Sequence, residues 1–168
     1  MVIPTFLKYL TVVDEAHMSA NFFSNCKAQN EITSRGAIYT RSEVVNFILD
    51  LVGYTDDRAL YQMSLLEPSF GDGDFLLVVV KRLVNSWRKN KYINNLNLDV
   101  LLNSIRAIEI HKNTFESTRF KLIEQLKNEN FTSNQAIQLV DNWLIKDDFL
   151  LTSINQPFDF VVGNPPYV

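Results

Sequence analysis

The sequence of 168 residues contains one cysteine, Cys26, and two histidines, His17 and His111. A single cysteine excludes an internal disulfide, and so few cysteines and histidines argue against a Cys/His metal site. We therefore expect no bound metal. The lone thiol suits a reducing cytoplasm.

Long hydrophobic runs are also absent. No run approaches the roughly 18 apolar residues that span a bilayer, and no basic region precedes an apolar segment at the start. We expect neither a signal peptide nor contact with a membrane. With 46% hydrophobic and 21% charged residues, the composition is typical of a globular domain with its own core.

Basic residues are not in excess. The net charge is −3 and the isoelectric point is near 5.4. Proteins that bind nucleic acid strongly usually present a basic face, because much of their affinity comes from neutralising phosphates. This chain by itself is therefore not expected to bind nucleic acid strongly.

The informative stretch is the last one, residues 158–167. Its apolar run predicts a buried strand, and Pro165 and Pro166 must end that strand in a stiff loop from Asn164 to Tyr167. Amide and carbonyl oxygens there can accept hydrogen bonds from an amino group, and the phenol ring can stack on a planar base. The simpler alternative is an ordinary strand followed by a proline-rich turn.

A second informative stretch predicts a strand over residues 63–67, a turn with Gly71 and Gly73, and a helix from Phe75. This order is that of the first βα unit of a Rossmann-like sheet. We expect the glycines to let a ligand approach the backbone and the helix N-terminus to favour a carboxylate.

Two more strands are predicted to end in acids. Glu109 lies near the end of a strand over 105–110, where such folds hold ribose hydroxyls, or else it caps the helix predicted for 113–127. Asp148 lies in a strand predicted for 143–151, and its alternative is a solvated acidic turn. A helix over 133–143 precedes that strand.

Upstream, residues 1–34 predict one or two accessory helices. A loop around Gly36 follows. Thr40 or Ser42 can then cap a helix that starts near Glu43 and ends at Gly53.

Alternating helices and strands predict an α/β fold, with a mostly parallel sheet and helices on both faces. Since parallel strands end at one edge, the polar loops that follow the four strands should converge there. A binding site is expected at that edge.

Taken in order, these stretches resemble the gamma-type adenine-N6 DNA methyltransferases of restriction–modification systems. The resemblance implies a Rossmann-like S-adenosylmethionine-dependent methyltransferase fold, incomplete at the C-terminus. By position, it implies catalytic roles for Asn164, Pro165, Pro166 and Tyr167, and contacts with the cofactor S-adenosyl-L-methionine for Tyr39, Thr40, Glu67, Pro68, Ser69, Gly71, Gly73, Glu109, Ile110, Asp148, Phe149 and Asn164.

The resemblance also implies individual roles. Thr40 would contact the methionine part of the cofactor and Glu109 its ribose. Asp148, with Asp147 as a possible rival, would accept from the adenine amino group, and Phe149 would pack beside the ring. Asn164 and the following carbonyl would hold the amino group of an adenine flipped out of DNA, on which the methyl group is placed.

The resemblance further implies that residues 35–168 are the cofactor-binding part of a longer enzyme and are inactive alone. Double-stranded DNA would be bound by a missing C-terminal part, and a complementary methyltransferase or specificity chain is a possible partner. Two alternatives stay open: an RNA or protein-glutamine N-methyltransferase of the same fold, and a non-catalytic module that binds a cofactor or partner.

Overall fold

The structure, a computed structural model, describes residues 41–164. Its strands are β1 (Leu65–Glu67), β2 (Ile105–Ile108), β3 (Leu144–Ile145) and β4 (Phe160–Val161). Its α-helices are α1 (Ser42–Leu51), α2 (Asp74–Lys91), α3 (Lys112–Asn128) and α4 (Ser133–Trp143), and two 3-10 turns cover Leu60–Gln62 and Leu98–Leu101. The helices predicted for residues 1–34 lie outside the described residues.

The four strands form one sheet in the order β3-β2-β1-β4, and every pairing is parallel. In β1, Leu65, Leu66 and Glu67 are all buried. Because successive side chains of a strand point to opposite faces, both faces of the sheet are covered at β1. The predicted α/β fold with a parallel sheet is confirmed.

The strand order locates the place where a ligand can bind. From β1 the chain steps to β2 and then to β3, whereas β4 returns to the other side of β1. The order therefore reverses between β1 and β4. In open α/β sheets, the crevice outside the carboxyl ends of the strands at such a reversal is where ligands bind.

A polar link fixes β4 beside β1 at the opposite edge of the sheet. The backbone N–H and the hydroxyl of Ser64 both donate to one oxygen, Oδ2, of Asp159, at 2.8 and 3.1 Å. The backbone N–H of Asp159 donates in return to the carbonyl of Ser64. These bonds join residues that are 95 positions apart and set the register of β4.

Helix α2 forms the centre of the core. Its apolar residues recur every three or four positions, so they share one stripe, and Leu76, Val79, Val80 and Leu83 are fully buried. Trp143, at the end of α4, is also fully buried, and its indole N–H donates to the carbonyl of Leu101 at 2.8 Å. Among residues 41–164, no helix is long and apolar enough to cross a membrane.

The cap predicted for α1 is wrong at Ser42 and lies outside the described residues at Thr40. Ser42 is the first helical residue, and Arg41 is the N-cap without a side-chain hydrogen bond. The predicted end is confirmed: Gly53 has a φ of +75°, and the next N–H reaches back to the carbonyl of Leu49. Glycine takes that left-handed conformation at little cost.

The strand predicted for residues 143–151 is wrong in length, since β3 covers Leu144–Ile145 and Trp143 ends α4. The carboxylate of Asp147 accepts from the N–H of Asp148, and that of Asp148 accepts from the N–H of Leu150 at 2.9 Å. Short acidic side chains that bond nearby backbone groups compete with sheet pairing. In this segment the two carboxylates hold the chain in a turn, so the strand does not continue.

Candidate functional site

Glu67 is the last residue of β1 and is 1% exposed, and its Cγ lies 3.8 Å from the position that a Cβ would take on Gly163, after β4. Among the described residues, its Oε2 atom has no hydrogen-bond partner. Burial raises the pKa of Glu67 well above its ordinary value, and the nearby carboxylates of Asp74 and Glu109 raise it further. A buried oxygen close to two other acidic groups favours a ligand that donates a hydrogen bond or carries a positive charge.

Glu109 follows β2 directly and is 4% exposed. Its Oε2 accepts from the N–H of Gly71 at 3.0 Å, and its Oε1 accepts from the N–H of His111 at 2.8 Å. The carboxylate thus joins the glycine loop (residues 68–73) to the residue that precedes α3. Glu109 is not the N-cap of α3, which is His111, but its carboxylate holds the N–H of that residue. Its contact with a ribose stays a prediction.

Most N–H groups of the glycine loop bond to the protein itself. The N–H of Phe70 donates to the carbonyl of Ile108, and that of Gly71 donates to the carboxylate of Glu109. The N–H of Gly73 donates to the carbonyl of Phe70. A loop that cradles phosphates instead points its N–H groups at the ligand. With acidic side chains around it, this loop suits a cationic ligand that carries hydroxyl groups better than a phosphate.

The two loop glycines have different reasons to be glycine. Gly71 has a φ of +51°, and a Cβ built there meets no atom of residues 41–164 within 4 Å. Gly73 has a φ of +85°, and a Cβ there would lie 2.5 Å from Cγ2 of Thr118 on α3. At position 73 the absence of a side chain makes room for the protein's own α3. That the two glycines also let a ligand approach the backbone stays a prediction.

Asn164 emerges beside Glu67. The N–H of Val162 donates to the carbonyl of Leu66 at 3.0 Å, which extends the β1–β4 pairing past the strand. A Cβ built on Gly163 would lie 3.7 Å from Cδ of Pro68, in ordinary contact. The segment that leads into Asn164 therefore runs alongside the start of the glycine loop, and Asn164 itself is half-buried.

Asp148 lies three residues after β3, at the same edge of the sheet. It is half-buried, and its Oδ1 holds the N–H of Leu150 in the turn described above. Phe149 is half-buried, whereas Ile110, after β2, is 55% exposed. The predicted acidic turn therefore uses Oδ1 of Asp148. The proposed contact with a ligand would be made by the other carboxylate oxygen, Oδ2.

Pro68 and Ser69 are half-buried members of the glycine loop. The other predicted site residues, Tyr39, Thr40, Pro165, Pro166 and Tyr167, lie outside the described residues. Their roles stay predictions.

Sequence reasoning missed Thr118, a fully buried polar residue of α3 whose hydroxyl donates to the carbonyl of Gly71 at 2.9 Å. The available signal is its position, since it lies between Phe115 and Leu122 on the apolar stripe of a helix. A polar residue on a buried stripe needs a partner.

Comparisons with known proteins identify the family of the chain. The family described as N-6 DNA Methylase matches residues 20–168. The chain belongs to the N-6 DNA methylase family. The predicted resemblance to such enzymes is thereby confirmed.

Three curated relatives of the chain are named as Type II methyltransferases. The chain is 53% identical over 137 residues to M.PaeR7I of Pseudomonas aeruginosa, covering 82% of this chain and 24% of the relative. It is 47% identical over 134 residues to M.XhoI of Xanthomonas vasicola, covering 80% and 24%. For M.BstVI of Geobacillus stearothermophilus the identity is 42% over 144 residues, covering 83% and 26%. The chain thus spans about a quarter of the length of these relatives.

The buried carboxyl of Glu67 leads to a prediction about pH. Because folding raises its pKa, the folded chain keeps a proton that the unfolded chain releases near pH 4.5. The stabilisation is complete below that pH and is lost as the pH rises through the raised pKa, at up to about 1.4 kcal/mol per pH unit. We expect Glu67→Gln, which cannot ionise, to remove this part of the slope in urea unfolding from pH 5 to 9.

A matched control is Glu116→Gln, which removes an exposed carboxylate from α3. This variant should keep the wild-type dependence of the unfolding free energy on pH. Identical slopes for Glu67→Gln and the wild type would show that Glu67 ionises normally in the folded chain.

Proposed function

We propose that this chain is the cofactor-binding part of a site-specific DNA adenine-N6 methyltransferase of a restriction–modification system, and that it works with S-adenosyl-L-methionine in a bacterial or archaeal cytoplasm. The observation that carries the proposal is the meeting of Glu67, the glycine loop and Glu109 at the point where the Asn164 segment emerges. Family membership and the Type II methyltransferase relatives support the same function.

The residues present fit this cofactor by charge and by hydrogen bonding. S-adenosyl-L-methionine carries a sulfonium, an ammonium group and ribose hydroxyls, and it supplies the methyl group. The Oε2 of Glu67, which has no hydrogen-bond partner among residues 41–164, can accept from a cationic or hydroxyl donor. Each oxygen of Glu109 accepts one backbone N–H and keeps capacity for a second donor, such as a ribose hydroxyl. The carboxylate of Glu109 would repel a phosphorylated cofactor.

In the proposed reaction, Asn164 and the carbonyl of Pro165 accept hydrogen bonds from the N6 amino group of a flipped adenine. These bonds draw electron density onto N6 and direct its lone pair towards the methyl group. Pro166 would keep the loop stiff, and Tyr167 would stack on the base. The reaction needs no metal and no covalent intermediate with the protein.

Recognition of double-stranded DNA is proposed to belong to other parts of the enzyme. With a net charge of −3, this chain has no excess of basic residues to neutralise phosphates. Because the relatives are about four times longer than the matched segment, further polypeptide, or a complementary methyltransferase or specificity chain, could supply the basic surface.

Calorimetric titration with S-adenosyl-L-methionine tests the cofactor assignment, and Asp148 provides the variant. Asp148→Asn keeps an oxygen for the N–H of Leu150 but can place an amide donor against the adenine amino group. We expect the dissociation constant to rise by about tenfold, the effect of losing one hydrogen bond to a charged group.

Asp147→Asn is the matched control, because Asp147 is an exposed neighbour and the rival candidate. Its affinity should stay within about twofold of the wild type, a change small beside one lost hydrogen bond. Equal weakening by both substitutions, or weakening by Asp147→Asn alone, would remove Asp148 from the adenine contact.

The methylated base identifies the substrate class. A chimera in which this chain replaces the aligned quarter of M.PaeR7I can be incubated with DNA, RNA and protein substrates, and the nucleosides and amino acids can then be separated. N6-methyladenine in DNA is the expected product. Methylated guanine in RNA or methylated glutamine would favour the alternatives instead.

A further inference from the structure

One face of α3 follows the glycine loop along its length. The ring of Phe115 packs on the ring of Phe70, with centroids 5.9 Å apart. Three residues later, the hydroxyl of Thr118 donates to the carbonyl of Gly71 at 2.9 Å. Both contacts reach from the same helix to consecutive residues of the loop.

Two further donors continue this row. Nζ of Lys121 donates to the carbonyl of Asp72, and Nε2 of Gln125 donates to the carbonyl of Leu77 in the first turn of α2, both at 2.9 Å. Residues spaced by three or four positions share a helix face. We define the α3 row as Phe115, Thr118, Lys121 and Gln125; its successive members meet residues 70, 71, 72 and 77 in the same order.

Thr118 fixes the loop from two directions. Its hydroxyl holds the carbonyl of Gly71, whose N–H is already held by Glu109, so both polar groups of that residue are tied. Its methyl group fills the space beneath Gly73, where a Cβ would clash. A loop with two glycines has unusual freedom when it is unrestrained, and these contacts remove much of it.

We propose that the α3 row is a positioning element that holds Gly71–Gly73 in the conformation that receives the cofactor. Thr118 is a positioning residue, and it sets cofactor affinity through the loop. The inference rests on the proposed function for the identity of the ligand, S-adenosyl-L-methionine. Its physical basis is that a loop already ordered loses less conformational entropy when a ligand binds.

The first test measures the empty chain. Amide hydrogen exchange, followed by NMR, should be about tenfold faster at Gly71 and Gly73 in Thr118→Val, which keeps the shape and removes one hydrogen bond. Exchange within β1 should stay unchanged. Thr118→Ser keeps the hydroxyl and should restore the wild-type protection of Gly71, and Thr114→Val, the same change one turn earlier on α3, should have no effect on the loop.

The second test measures cofactor binding by the same variants. We expect the dissociation constant for S-adenosyl-L-methionine to rise about tenfold in Thr118→Val and to stay within about threefold of the wild type in Thr118→Ser. Thr114→Val should bind as the wild type does. The midpoint of urea unfolding is recorded beside each value, and the affinity change should persist after correction for the fraction folded.

The outcomes separate this inference from the proposed function. Unchanged exchange at Gly71 and unchanged affinity in Thr118→Val would overturn the positioning role while the cofactor assignment stands. Faster exchange with wild-type affinity would overturn it too, because the loop would then be ordered by the ligand. If Thr118→Val speeds exchange but the wild-type chain binds no S-adenosyl-L-methionine, the proposed function is wrong. Thr118 would then order the loop without a role in binding this cofactor.

Lys121→Met provides a second route if Thr118→Val does not fold. Lys121 is exposed, so its replacement should leave folding intact, and it still removes the donor to Asp72. Exchange in the loop should rise by about threefold, in keeping with one exposed hydrogen bond. Lys112→Met, at the exposed start of α3, is the matched control, and equal exchange in both variants would overturn the role of Lys121.

Discussion

Replacing Asn164 with alanine is expected to lower the rate of methyl transfer by about 100- to 1,000-fold, the usual effect of removing one preorganised polar contact to the reacting group. The substitution removes the amide oxygen proposed to accept from N6 of adenine. Affinity for S-adenosyl-L-methionine should change by less than about threefold, because Glu67, the glycine loop and Glu109 stay in place. Single-turnover kinetics of the M.PaeR7I chimera, with a parallel cofactor titration, measure both quantities.

Asn164→Asp is the control variant for Asn164→Ala. It keeps an acceptor oxygen at the same place and should therefore lose less activity than Asn164→Ala. The segment into Asn164 runs beside Pro68, so a purely structural role would disturb the glycine loop as well. Equal losses of methyl transfer and cofactor affinity in the alanine variant would assign Asn164 to structure.

Gly73→Ala is expected to destabilise the chain by about 3 kcal/mol. The left-handed conformation at φ +85° costs a residue with a Cβ about 1–2 kcal/mol, and the overlap with Cγ2 of Thr118 adds about 1–3 kcal/mol. Urea unfolding of the purified chain measures the loss. The glycine loop should also move, so cofactor affinity should fall with stability.

Two comparisons separate the two causes. Gly71 also has a positive φ, but a Cβ there meets no atom of the described residues within 4 Å, so Gly71→Ala should cost only about 1 kcal/mol. Combining Gly73→Ala with Thr118→Ser removes the clashing methyl group and should recover about 1 kcal/mol. Equal losses at the two glycines, or no recovery in the double variant, would mean that α3 does not press on Gly73.

The parts of the site that sequence could predict are those set by neighbouring residues. The apolar run before Glu67 predicts the strand, the two glycines predict the turn, and the apolar stripe of α2 predicts the helix. All three lie within thirty positions of one another. Glu109 could be placed because a short β-rich run precedes it. Their convergence followed from the shared direction of parallel strands.

The parts that sequence could not predict depend on contacts between distant residues or on local competition. Thr118 lies 47 positions from the carbonyl it holds, and nothing in its neighbours names that partner. The contact of Thr118 with Gly73 could not be predicted either, because a sequence does not show which atoms surround a glycine. The strand through Asp148 failed because two carboxylates took backbone N–H groups that sheet pairing would have used.

The bonds between Ser64 and Asp159 have a consequence for the order in which the molecule assembles. The link from Gly71 to Glu109 closes a segment of 38 positions, whereas β4 can dock only after 95 positions have been brought together. Loop-closure entropy grows with length, and β4 contributes only two strand residues in return. Glu67, the glycine loop and Glu109 should therefore come together first during folding and separate last. The segment that leads into Asn164 should join them late and be the first to detach.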